Sequence, residues 1–388
     1  MPDPFIATGA DAVTSNLSDL RAQIDRVDDE LVAILARRAQ LTAAVGEHKT
    51  RHRLPLYVPE REAQLLAARR ERAAAAGLDP ALMEDILRRV MRESYASQET
   101  DFPSAGDRSR PVVVVGGAGA LGRCLSSFFV RSGYSVRTLE KDDWAQAPAL
   151  LANAGLVLVA VPIERTCAVI ASLPVLPPDC ILADVTSIKQ APLQAMLAAH
   201  AGPVLGLHPM FGPDVQSLAK QVVVVCPGRD DARCRWLLDQ FGIWGAVLRE
   251  ELPERHDRAM ELIQAMRHFT SMVYGIFLQR QDADLQELMR LSSPIYRLEL
   301  AMVGRLFAQS PVLYADIIMA AAGLPALLEQ YRNVLDDLLQ RVREHQRDAL
   351  IADFNSARAY FGDLAPALLR ESSELLRKAH DARDPSLG

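Results

Sequence analysis

The sequence has no Cys-x-x-Cys pair. Its five cysteines (Cys124, Cys167, Cys180, Cys226 and Cys234) are odd in number and scattered, which excludes a disulfide framework and a structural zinc site; no metal is expected, and a reducing cytoplasm fits. An excess of positive charge is also missing: 43 Lys and Arg stand against 49 Asp and Glu, a formal net charge of -6 that argues against general nucleic-acid binding. Local positive charge around a small anion remains compatible with that total. No apolar run reaches the ~18 residues of a membrane span. The N-terminal MPDPFIATGADAVTSN lacks the basic stretch and apolar core of a secretory signal. A cytoplasmic protein without membrane contact is therefore expected, and 388 residues suffice for two or three domains.

Glycine is nearly absent from residues 17 to 98, where only Gly46 and Gly77 occur. What is there instead is helical periodicity: Leu20, Ile24, Val27, Leu31, Ile34, Leu35, Leu41 and Val45 recur at three- and four-residue steps and predict one long amphipathic helix, capped at Ser18. RHRLPLYVP breaks the pattern. Two further helices are expected near 60–76 and 80–98, divided by GLDP, which makes residues 1–98 an all-α N-terminal domain. The polar stretch SQETDFPSAGDRSR reads as a linker at 99–110. Short β-branched runs then alternate with helical segments (PVVVVG, YSVRTLE, GLVLVAVP, CILADVT, PVLGLHP, QVVVVCP), the signature of a parallel α/β sheet of Rossmann type over 111–253. Strands vanish from about 254, and 254–388 is expected to form an all-α C-terminal domain.

Within PVVVVGGAGALGRCLSSFFVRSGYSVRTLE, the pattern G-x-G-x-x-G falls on Gly117, Gly119 and Gly122, preceded by Gly116, directly after a buried strand and at the opening of a helix. Alone that pattern is weak. Here it has strand-turn-helix-strand context, with Glu140 at the end of the second strand, close to the ~20 residues expected for a ribose-binding acid. The glycines allow a tight turn and close approach of a pyrophosphate, which helix N-terminal amides receive. The alternative is a Gly turn with no ligand. A carboxylate suits the free ribose 2′-hydroxyl of NAD and opposes the extra phosphate of NADP, so NAD is the expected cofactor.

In such a fold the strand ends near the switch point become substrate positions, and the loops DVTSIK and LHPMFGPD qualify. Oxidising a carbinol needs a group that takes or holds the hydroxyl proton as hydride leaves, the usual work of a histidine near neutrality, and His208 is placed for it. Ser187 and Lys189 are candidates to orient the same hydroxyl or the nicotinamide, set against turn and helix-cap duty for Ser187. In SSPIYRLELAMVGRLFAQ, Arg297 and Arg305 lie eight residues apart, on roughly one helix face at about 12 Å. Arginine in an apolar helix needs an anion: a substrate carboxylate, or, for one of the two, an internal salt bridge to Glu299 or Asp316. His256 and His268 are open between a satisfied histidine and a ligand group.

Together GGAGALG, DVTSIK, LGLHPMFGPD, SSPIYRLELAMVGRLFAQ and LYADIIM resemble prephenate dehydrogenase, and the N-terminal helices resemble an AroQ-class chorismate mutase. The combination is that of the bifunctional T-protein family of tyrosine biosynthesis, over nearly the whole chain. The resemblance implies that chorismate is rearranged to prephenate and that prephenate is oxidatively decarboxylated to 4-hydroxyphenylpyruvate with NAD. His208 would then be the catalytic histidine at the ring hydroxyl, Arg305 the carboxylate-binding arginine, Ser187 and Lys189 helpers, and Arg297 and His268 further substrate contacts. The C-terminal helices would bind substrate and dimerise. In the mutase half, Arg21, Arg38, Lys49 and Arg61 match the cations that hold the carboxylates and the ether oxygen, Glu62 the group that meets the hydroxyl, and Ser94 and Gln98 the third-helix polar contacts. Val58 departs from the Asp often carried by relatives fused to a dehydratase, leaving the hydroxyl to Glu62. The rearrangement is pericyclic and needs no nucleophile or metal, only a dry site that compresses a dianion and meets growing charge on the ether oxygen.

Arg21 and Arg38 are 17 residues apart on one helix, about 25 Å of rise. One small substrate cannot touch both, so a shared mutase site requires a second chain whose long helix runs antiparallel: a homodimer. L-tyrosine is a candidate feedback inhibitor. Two other readings are an arogenate dehydrogenase, separated by paired kinetics, and a redox-sensing regulator that binds NAD without turnover, against which His208, Arg305 and the mutase cations stand together.

Overall fold

The computed structural model describes residues 16–52, 54, 57–97 and 101–381. Helices α1 (Leu17–Arg51), α2 (Pro59–Ala75) and α3 (Pro80–Ser97) come first. The predicted long helix is there, but its cap is Asn16 and not Ser18: Asn16 Oδ1 accepts the Ser18 amide at 2.8 Å and its carbonyl accepts that of Asp19 at 2.9 Å, so Ser18 lies inside the first turn. Much of α1 is unpartnered within the chain, with Val27, Leu31 and Ile34 61%, 48% and 62% exposed.

The sheet has seven strands in the order β2-β1-β3-β4-β5-β6-β7. They are β1 (Val112–Val115), β2 (Val136–Leu139), β3 (Leu156–Val159), β4 (Ile181–Asp184), β5 (Val204–Pro209), β6 (Val222–Arg229) and β7 (Val247–Glu250). Between them run α4 (Ala120–Arg131), α5 (Ala147–Leu151), α6 (Ile163–Ala171), α7 (Gln190–Ala199) and α8 (Asp231–Ile243). The run VVVV of β1 does not alternate because both of its faces are covered. Val112 and Val114 enter one core layer with Phe128, Leu156 and Trp244, while Val113 and Val115 enter the other with Leu151, Val157 and Val159.

The expectation of a parallel sheet holds for β1 to β5 and needs correction beyond them. β6 pairs antiparallel with β5, and β7, a strand absent from the sequence reading, runs parallel to β6. The cause is the connection at 210–221, which contains no helix to carry the chain back across the sheet. The stretch read as a linker is docked: Phe102 is buried in the core, and the amides of Ala105 and Gly106 donate to Gln240 Oε1 and the Tyr134 hydroxyl at 2.9 and 2.7 Å.

The remaining elements are helical: α9 (Pro253–Met260), a π-turn (Glu261–Met266), α10 (Arg267–Arg280), α11 (Leu285–Leu291), α12 (Pro294–Phe307), α13 (Pro311–Ala320), α14 (Leu324–Arg343), α15 (Arg347–Phe361) and α16 (Leu364–Asp381). No single helix among the described residues is long and apolar enough to cross a membrane. The carboxyl ends of β1, β3, β4 and β5 share one sheet edge, so the glycine turn, DVTSIK and the loop after His208 open on the same side.

Candidate active sites

At the first of these strand ends Gly116 turns the chain with φ +82°, and Gly119 closes the turn with a 3.0 Å bond from its amide to the Gly116 carbonyl. A Cβ on Gly122 would stand 2.4 Å from that carbonyl oxygen, so α4 can start this close to the strand only with glycine there. Gly117 sits against Thr138 of β2. Glu140 leaves β2 beside the turn, and its Oε1 accepts the Ala118 amide at 2.7 Å. A cradle without side chains, a helix N-terminus and an acid at its rim fit a dinucleotide's pyrophosphate and ribose. Glu140→Ser combined with Lys141→Arg should weaken NAD binding about 10- to 100-fold, the worth of a charged hydrogen bond, and admit NADP. Titration of both nucleotides against the unmodified protein checks this, and equal use of NADP by that protein would remove the role given to Glu140.

His208 lies on β5 with 2% of its surface exposed. Its Nδ1 is 2.8 Å from His256 Nε2, and His256 Nδ1 is 2.8 Å from Asp257 Oδ1. Burial alone would raise the Asp257 carboxyl. The His256 bond and the amides of Gln190 and Lys189, at 3.0 and 2.7 Å, outweigh it and hold Asp257 below the usual carboxylate range. An ionised Asp257 accepts from His256 Nδ1–H, and in the tautomer that this bond selects Nε2 carries the lone pair. His208 Nδ1–H donates to that lone pair, which leaves His208 Nε2 as an acceptor, now met by the Gln264 amide at 3.1 Å. Burial first, then the Lys189 ammonium, pushes the His208 imidazole well below its ordinary value, so it is neutral near pH 7.

Gln264 and Asp257 line a cavity of about 230 Å³ with Ser187, Gln190, Glu261 and Ile317. The π-turn that carries Gln264 is the sort of helix irregularity that often marks function, and the Glu261 carboxylate ties it to the Gly323 amide at 2.8 Å. Lys189 is fully buried. Its ammonium is held by Asp184 Oδ2 at 2.5 Å and the Leu207 carbonyl at 2.6 Å, so it acts on this site through the strand that bears His208.

The remaining expected residues of this half lie outside that cavity. Arg305 reaches Asp214, the end of the His208 loop, at 3.6 Å, rather than Glu299 or Asp316, the alternative partners for one of the two arginines. Arg297 donates to the Met289 carbonyl at 3.3 Å at the end of α11. His268 packs edge-on against Tyr314 at 4.6 Å, and burial followed by Arg267 pushes it down to about 4.

In the helical domain Arg38, Lys49, Val58, Arg61, Glu62 and Ser94 line a second cavity of about 210 Å³, also walled by Leu65, Met91 and Tyr95. Ser94 Oγ donates to the Val90 carbonyl at 2.8 Å and accepts from Arg38 at 2.9 Å, which aims the guanidinium across the pocket from α1 to α3. Lys49 is lowered by burial. Arg21 is exposed on the distant part of α1, and Gln98 falls outside the described residues.

The sequence reading left four residues around these cavities unassigned. His256 was left open, and Asp257 and Gln264 were not singled out, although the adjacent His-Asp pair before the helical region was a usable signal. Tyr95, whose hydroxyl donates to Glu62 at 3.0 Å, was missed as well.

Comparison with known proteins finds matches along the chain. Family models match for chorismate mutase type II at residues 20–99, the nucleotide-binding domain of prephenate dehydrogenase at 136–245 and its dimerization domain at 252–356. The chain is 53% identical to the T-protein of Enterobacter agglomerans, over 96% of this chain and 100% of that one. It is 46% identical to the T-protein of Haemophilus influenzae, over 95% and 98%. A crystal structure of prephenate dehydrogenase from A. aeolicus shares the fold of the sheet and C-terminal regions, with a TM-score of 0.54, 15% identity, and coverage of 66% of this chain and 98% of that one. A helical domain built around a cationic pocket, joined to a nucleotide-binding sheet and a helical cap and matched end to end by such relatives, places this chain in the T-protein family.

Proposed function

We infer that the chain catalyses two successive reactions: chorismate is rearranged to prephenate in the N-terminal domain, and prephenate is oxidatively decarboxylated to 4-hydroxyphenylpyruvate with NAD. The observation that carries the dehydrogenase reading is the chain Asp257–His256–His208, which leaves one imidazole lone pair at Nε2 next to the cavity of Ser187 and Gln264. That nitrogen accepts a hydrogen bond from the ring hydroxyl and polarises it as the carbinol hydrogen leaves as hydride. NAD, bound at the glycine turn and Glu140, supplies the hydride acceptor. Loss of CO2 sends the C–C electron pair into the ring, the oxygen ends as a phenol, and aromatisation makes the step irreversible. Arg305, Arg297 and His268 are assigned to the substrate's anionic end, Ser187 to orientation and Lys189 to support of the strand.

Arg38, Lys49 and Arg61 hold the chorismate dianion and its ether oxygen, with Glu62 on the hydroxyl and Ser94 fixing Arg38. Gln98 is assigned to the same contacts. Arg21 comes from a partner chain in a homodimer, which also covers the exposed apolar stripe of α1. L-tyrosine, with the product's ring, fits as a feedback inhibitor. We place the enzyme in the cytoplasm, where its five unpaired thiols stay reduced.

The experiment is the pH profile of kcat/KM with prephenate, run beside arogenate as the competing substrate. The acceptor must be neutral, and its folded value is depressed, so activity should persist as pH falls through about 6.5, the ordinary histidine value, with the acid limb below it. An acid limb at or above that value, or a preference for arogenate, contradicts the assignment.

A further inference from the structure

Glu62 is 7% exposed and three donors hold it. Tyr95 donates to Oε2 at 3.0 Å, and Arg88 lies 3.5 Å from Oε1; both come from α3, in the same domain. The third is the ammonium of Lys220 on Oε1, and it comes from the β5–β6 connection of the sheet domain, 158 residues away. The same ammonium sits 5.2 Å from the centre of the Tyr57 ring, which itself meets Tyr95 edge-on at 6.0 Å.

The backbone of Lys220 is left-handed, with φ 68°, a region that favours glycine and strains a long side chain. It is pinned there by its amide bond to the Gly245 carbonyl at 3.0 Å and by Gln221 donating to the Leu218 carbonyl at 2.9 Å. Glycine would satisfy this turn without strain. The lysine keeps only what its side chain reaches, and that is the pair Tyr57 and Glu62.

We propose that Lys220 is a positioning residue of the mutase site, contributed by the dehydrogenase domain. A carboxylate offers about four acceptor positions. Lys220 and Arg88 occupy Oε1 and Tyr95 one position on Oε2, which leaves one on Oε2 for the substrate hydroxyl. Lys220 thus fixes the rotamer of Glu62 across the domain boundary, and chorismate binding depends on the sheet domain being docked. The inference rests on Glu62 being the hydroxyl contact.

The test uses the full chain with Lys220→Met, Lys220→Gly, Lys220→Arg, Glu62→Gln and the double variant Lys220→Met/Glu62→Gln. A contact made equally in ground and transition states shows in KM. Lys220→Met and Lys220→Gly should therefore raise KM for chorismate about 10-fold, the scale of one charge-assisted hydrogen bond, with kcat changed less than about twofold. Lys220→Arg should restore most of the affinity. In the Glu62→Gln background the Lys220→Met change should alter KM by less than about twofold, because coupled residues are not additive. Dehydrogenation of prephenate should be unchanged throughout. If Glu62→Gln raises KM and the Lys220 variants do not, or if they lower kcat alone, the positioning role is overturned and the assignment of Glu62 stands. If Glu62→Gln leaves KM unchanged, the assignment fails and the inference fails with it.

Discussion

His208→Asn should lower dehydrogenase kcat by about 10²- to 10⁴-fold, the usual worth of a positioned proton acceptor, with NAD affinity and mutase activity unchanged. The imidazole is buried among groups that keep it neutral, and the chain from Asp257 fixes which of its nitrogens carries the proton. Asparagine can keep a hydrogen bond to His256, but it cannot supply an acceptor of comparable basicity toward the cavity. Steady-state kinetics with prephenate, beside NAD binding by fluorescence and chorismate turnover, checks the effect. Near-normal dehydrogenation would reduce His208 to a structural residue of β5.

Arg38→Ala should remove mutase activity by about 30-fold to several thousand-fold, because deleting one partner of a desolvated charge pair costs roughly 2–5 kcal/mol. Arg21→Ala should do the same, although Arg21 stands far along α1 from the pocket that holds Arg38. In the proposed homodimer a second chain brings it there. Co-expression of the two variants should therefore restore activity. In a mixed dimer the site built on the Arg21→Ala chain keeps its own Arg38 and borrows Arg21 from its partner, while the other site lacks both. Random pairing makes about half the dimers mixed, each with one complete site in two, which gives roughly a quarter of wild-type turnover. No rescue, with both variants folded and dimeric, would contradict the shared site.

What could be read from the sequence was what depends on local constraints. The Gly116–Gly122 turn declares itself because the contacts that exclude a side chain at Gly122 lie within the turn and those at Gly117 on the next strand, at Thr138, although Gly116 is closed by the distant Ala160 and Val161 after β3. The length of α1 is written in its apolar spacing and in the scarcity of glycine. The cap was misplaced by two residues because Asn16 and Ser18 are both good caps, and only the backbone decides. β7 was missed because VLRE is four residues long and half-exposed, with neither an apolar run nor clear alternation. The direction of β6 depends on a connection without a helix, visible in the sequence only as a short gap.

The sites divide in the same way. Arg38, Lys49, Arg61, Glu62 and Ser94 were named from a resemblance, and the fold brings them to one cavity. His256 and Gln264 meet His208 across some fifty residues of chain, with Asp257 behind His256, and no spacing rule covers those contacts. Lys220 is the extreme case: nothing near it in sequence points to Glu62, and its meaning lies in a backbone angle and a contact between domains.

The central claim is that one chain carries two separable active sites working in sequence, and its most direct test is NADH formation from chorismate. The unmodified protein supplied with chorismate and NAD should produce NADH and 4-hydroxyphenylpyruvate. His208→Asn alone should accumulate prephenate without NADH, and Arg38→Ala alone should form NADH from prephenate but not from chorismate. The two variants mixed as purified proteins should again form NADH from chorismate, after a lag while prephenate builds up in solution. Loss of both reactions in either single variant, or absence of NADH from chorismate with the unmodified protein, would contradict the account.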